Sequence, residues 1–220
     1  MLRPLLISLV LATLALGPLS PACASDDTSK VNGSIRIDDG KTVGDLDTVN
    51  GSISLGEHGQ ADEISTVNGS IDIGDDASIH SAGTVNGRIA LGKRSRVSEG
   101  IDTVNGSLTL DEDSDVSGDV SNVNGSIRLR KAHVGGGIKT VAGDIEIGAD
   151  SSVDHGIHVE KSNSWFSWGE DKPVHVVIGP RAVVKGALVF ERKVELLVSD
   201  SAQIGEVTGA KPVRFSGDHP

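Results

Sequence analysis

Val49-Asn50-Gly51-Ser52-Ile53 and Val67-Asn68-Gly69-Ser70-Ile71 follow one another at a spacing of 18 residues, and the same unit opens at Val31. It returns as Val85-Asn86-Gly87-Arg88-Ile89, as Val104-Asn105-Gly106-Ser107-Leu108 and, intact, at Val123. A degraded copy, Val141-Ala142-Gly143-Asp144-Ile145, closes the series. A fixed period this short marks a solenoid, in which one coil cannot bury its apolar face alone and must stack on its neighbours.

The period divides again. Val31, Ile37, Val43, Val49, Leu55, Ala61 and Val67 fall six residues apart, and the frame continues with single-residue shifts before Val104 and Val123. Helical spacings of three and four are absent from this register. Three sixes per coil predict an all-β chain: a single-stranded triangular parallel β-helix with ~18-residue coils, right-handed. Within a coil, Ser34-Ile35-Arg36-Ile37 alternates, so Ile35 and Ile37 point inward and Arg36 outward. Asn-Gly is placed at a corner, because both residues accept the positive φ of a sharp bend. Glycines after Leu55, Ile73, Leu91 and Ile147 are placed at a second corner. Asn32, Asn50, Asn68, Asn86, Asn105 and Asn124 are expected to stack as a structural ladder.

Outward from the repeats, residues 1–24 read as a secretory signal: Arg3, an apolar run from Leu5 to Leu16, then Ala22-Cys23-Ala24 as a cleavage site. Lipidation of Cys23 is the alternative. Cys23 is the only cysteine, so simple cleavage leaves no thiol chemistry. Residues 25–160 form the repeat solenoid, and 161–173 an aromatic loop. Residues 174–215 are closing coils, in which Ile178, Val184, Phe190, Leu196 and Ala202 resume the six-residue interval, and 216–220 are a tail. There is no tyrosine, and both tryptophans and all three phenylalanines lie at Trp165 or later. The repeats must therefore be filled by Val, Ile, Leu and Ala.

Residues 25–160 hold 24 Asp and Glu against 11 Lys and Arg, a net −13; residues 161–220 hold 7 against 8, a net +1. An acidic stem is repelled by phosphate backbones and anionic headgroups, which argues against nucleic-acid partners.

The Val-Asn-Gly-Ser-Ile repeats and the stretch Ile178-Gly179-Pro180-Arg181-Ala182-Val183-Val184-Lys185-Gly186-Ala187-Leu188 resemble two bacterial groups. These are the polymer-forming bactofilins and the putative-adhesin repeat proteins of unknown function. The resemblance implies a parallel β-helix with a structural, adhesive or self-associating role, and it supplies no catalytic residues. Hexapeptide-repeat acyltransferases share the period of six. They keep a small residue where this chain has Ile35, Ile53, Ile71, Ile89, Leu108, Ile127 and Ile145, which argues against that group.

Candidate chemistry is sparse. Asp111-Glu112-Asp113-Ser114-Asp115 opens like a calcium loop, but Val116 stands where its glycine belongs, so it reads as a solvated corner. His155, His158 and His175 are a weak metal candidate; no catalytic residue, cofactor or metal is assigned. Trp165, Phe166 and Trp168 are the tentative binding residues, either a tip for sugars or partners or a cover for the rod. The sequence reading is thus a non-catalytic exported β-solenoid, periplasmic or secreted, or an outer-membrane lipoprotein through Cys23. Its expected partners are an envelope glycan, another envelope protein or a second copy. A polysaccharide-active β-helix enzyme and a hexapeptide-type acyltransferase are the alternatives.

Overall fold

A computed structural model of the chain describes residues 26–161 and 172–217. Among them there is no helix, and every strand pairing is parallel. The chain winds as a β-solenoid with three stacked faces. On the first face, Ile35, Ile53, Ile71, Ile89, Leu108, Ile127, Ile145, Val176, Leu196 and Pro212 pair in succession. Nine such steps at about 4.8 Å make a rod on the order of 43 Å long. The second face stacks short strands such as Arg96–Val97, Asp115–Val116 and His133–Val134. The third carries Leu46, Ile64, Ala82, Ile101, Val120 and Ile138 in register. After the aromatic stretch the stack resumes in the same register, with Ile145 on Val176 and Ile157 on Leu188.

Alternation builds the core. Ile53, Ile71, Ile89, Leu108 and Ile127 are fully buried, and Leu55, Leu91, Leu110 and Leu129 lie beside them two residues on. The residues between them, such as Asp72 and Arg128, face outward and pair with the next coil. Aliphatic rows at strand spacing stack on one another, and each fully buried Ile or Leu contributes about 1.5–3 kcal/mol.

The valines of the repeat depart from the six-residue frame. In the six-residue frame they belong with the core, yet Val31 is 68%, Val49 41% and Val67 38% exposed. The buried place is taken one residue earlier, by Thr48, Thr66, Thr84, Thr103, Asn122 and Thr140. Parity explains it: Leu46 and Thr48 share the inward side of one strand, so Val49 must turn out. The buried hydroxyls of Thr48, Thr66 and Thr84 donate to the carbonyls of Gly33, Gly51 and Gly69, one coil below, at 3.1–3.3 Å.

Corner geometry differs from expectation too. None of the repeat asparagines has positive φ, and of the glycines that follow them only Gly33 and Gly125 do. The other glycines are needed for approach between coils: a Cβ on Gly51, Gly69, Gly87 or Gly106 would lie inside the carbonyl of the preceding repeat glycine. Left-handed backbone sits instead at another corner, on Gly40, His58, Asp76, Arg94, Asp113, Lys131, Asp150 and Arg181, with φ from 50° to 67°. The small residues that follow several of them, Ala77, Ser95, Ser114, Ala132, Ser151 and Ala182, are buried and let this corner close. The asparagines form a continuous ladder. Asn50, Asn68, Asn86, Asn105 and Asn124 each donate Nδ2 to the Oδ1 of the preceding one, at 3.0–3.2 Å.

Candidate functional site: an outer groove walled by valines

Because the repeat valines turn outward, Val67, Val85, Val104, Val123 and Val141 form one wall of a groove of about 600 Å³ along the third face. Its floor is the outward position two residues earlier, occupied by Ser65, Gly83, Asp102, Ser121 and Lys139. Small floor residues keep it open; an added Cβ on Gly83 would meet nothing nearer than 3.9 Å. Glu63, Ser81, Gly100, Asp119 and Glu160 also line it. The valine row ends where Glu160 succeeds Val141 at the same coil position.

The floor is partly wired from coil to coil. The Ser65 hydroxyl meets the Asp47 carboxylate, and the Ser121 hydroxyl that of Asp102. Burial raises the Asp119 carboxyl, but the Lys139 ammonium and the Gly137 N–H (2.8 Å) outweigh it and hold the group below the usual carboxylate range. Glu63 goes the other way: partial burial, then Asp47, Asp45 and Glu99, push its carboxyl up. The groove therefore carries uncompensated negative charge.

A second groove, of about 410 Å³, runs along the second face between Asp62, Ser78, His80, Ser98 and Asp115. There His80 Nδ1 lies 2.9 Å from Ser98 Oγ and Nε2 3.1 Å from Glu99 Oε1, the residue types of a nucleophilic triad. Triad chemistry also needs N–H groups aimed at the developing oxyanion. The Ser98 and Glu99 N–H groups are engaged on the carbonyls of Ile79 and His80, at 3.1 and 2.8 Å. His80 and Glu99 are also largely exposed, so water would compete for every contact. Farther along, His133 bridges coils, with Nδ1 on Asp115 and Nε2 3.4 Å from Asp154.

The expected binding residues Trp165, Phe166 and Trp168 lie outside the described residues. The acidic run is a corner braced on both sides: Glu112 takes Lys93, Asp111 takes Arg130 and Asp113 takes Lys131. His158 and His175 do not converge, since each pairs with the glutamate one coil on, Glu191 and Glu195, at 3.0 and 3.2 Å. Among the described residues no three His, Cys, Asp or Glu group as metal ligands, and no helix is long and apolar enough to cross a membrane. The groove escaped the sequence reading, although the inward set Leu46, Thr48, Ile64 and Thr66 marks each following valine as outward.

Comparison of the chain with family models, with curated proteins and with solved structures finds no match.

Proposed function

We propose that the protein is a non-catalytic β-solenoid that acts by surface contact at the bacterial cell envelope, as a structural or binding element. The observation that carries this reading is the long open groove, along which a row of half-buried to exposed valines faces outward rather than into the core. An apolar strip on an otherwise charged exterior is the mark of a contact surface. The signal-like residues 1–24 support export, and the engaged N–H groups around His80 and Ser98 weigh against acyl transfer there.

Two measurements test it. Fractionation of cells producing the full chain should place it in the envelope or medium, shortened at its N-terminus. The purified protein should turn over neither polysaccharides nor acyl donors. Cytoplasmic retention of the unshortened chain, or multiple turnover of either substrate class, would overturn the reading.

A further inference from the structure

We propose that the valine-walled groove takes an extended cationic peptide segment in which Lys or Arg alternates with aliphatic side chains. This rests on the contact role proposed above and names the partner class for it. Shape comes first. Val67 and Val141 are four coils apart, about 19 Å, which spans roughly six residues of extended chain. Val67 and Glu63 lie on one strand, Gln60–Asn68, four residues and so about 13 Å apart. The valine wall thus faces a rim of Glu63, Ser81, Gly100 and Asp119 across a single bound chain, with Asp102 on the floor between them and Glu160 at the end of the valine row. The floor strands are paired on both sides, so the occupant lies across them along the rod and cannot join the sheet.

Charge selects the occupant. Among the described residues no ion pair neutralises Glu63, Asp102 or Glu160, whereas Asp119 is matched by Lys139. The crowding of Glu63 by Asp45, Asp47 and Glu99 is relieved by a cation. Sugar rings are a poorer fit to the described lining, because among the described residues no aromatic side chain lines the groove to stack on them. Anionic polymers are repelled.

The test is calorimetric titration of the purified full chain with a capped peptide of about three Lys-Val repeats, the length the groove holds. A Glu-Val peptide and a chito-oligosaccharide serve as comparisons. The Lys-Val peptide should bind, and binding should weaken at least about tenfold as ionic strength rises from about 0.05 to about 0.5 M. Glu63→Gln with Asp102→Asn should weaken it about tenfold, with melting as in the parent because both side chains are exposed, and Val104→Ser, at a half-buried outward position, should weaken it several-fold with the fold retained by circular dichroism. Absence of heat with the Lys-Val peptide, equal binding of the Glu-Val peptide, preference for the oligosaccharide, or unchanged affinity in the variants would each overturn the proposal. None of these results bears on export or turnover, so failure here is separable from failure of the broader reading.

Discussion

Arg94 grips Asp76 with two parallel bonds, Nε to Oδ1 at 2.8 Å and Nη2 to Oδ2 at 2.6 Å, and both residues hold the left-handed backbone of the same corner in successive coils. This hydrogen bond is the main reason the Asp76 carboxyl lies below its usual value. A depressed carboxylate contributes stability above its unfolded pKa and loses it as pH falls through the folded one. Arg94→Met should therefore unfold at lower denaturant than the parent at pH 7. The gap should close as pH drops below the ordinary aspartate range. Urea unfolding across that range checks it; a gap that persists in acid would show that the guanidinium acts by packing alone.

His133 has the opposite sign. The Asp115 carboxylate first, and Asp154 beside it, raise its pKa above the ordinary imidazole value despite the opposing effect of burial. A raised folded pKa contributes stability that is full below the unfolded pKa and is lost as pH climbs through the folded value. An NMR titration should place His133 above the ordinary imidazole value, and Asp115→Asn should bring it down. No response to Asp115→Asn would remove that carboxylate as the cause.

Ile71 and Asp72 are neighbours with opposite fates. Ile71 is fully buried, so Ile71→Asp loses about 1.5–3 kcal/mol of burial and strands a polar group costing several more. Asp72 pairs with the exposed Arg88, at 2.6 Å, and Asp72→Ala should cost no more than about 1 kcal/mol. Thermal melts of the two variants should differ widely; equal shifts would refute the strand parity.

Two glycines make a similar contrast. Gly87→Ala would drive a methyl into the Gly69 carbonyl, which backbone on both sides keeps from moving, and it should lower the melting temperature by several degrees. Gly83→Ala opens onto the groove floor and should be neutral or stabilising by up to about 1 kcal/mol. A melt in which Gly83→Ala is the more harmful would show that the coil spacing is set elsewhere.

These contrasts show what the sequence made legible. Periodicity at 18 and at six residues announces coils and three faces, because the same contacts recur at each step. The alternation at Ile35 and Ile37 fixes the orientation of that strand. The six-residue frame failed at Val49, where an inward threonine replaces the valine. A buried hydroxyl with its own acceptor is invisible to a count of apolar residues. Asn-Gly suggested left-handed backbone for a sound statistical reason, but the demand here is distance between coils, which one chain's local preferences do not reveal. His58, Asp76 and Arg94 share that backbone in successive coils, where the His58 N–H bonds the Asp75 carbonyl and an ion pair ties Arg94 to Asp76. The groove was hidden with the valines, since it exists only once their direction is known.

The glycine and asparagine rows make the coils interchangeable parts. Gly69 meets Gly51 as Gly87 meets Gly69, and Asn68 stands between Asn50 and Asn86 on equal terms. Excising Val67–Thr84 would join Thr66 to Val85 with every row continuing. Such a chain should fold with the circular dichroism of its parent and be one step, about 4.8 Å, shorter in solution scattering. Excising nine residues instead would set one face against another, and that chain should not fold. The molecule is in this sense a ruler, whose length evolution can alter only in whole graduations.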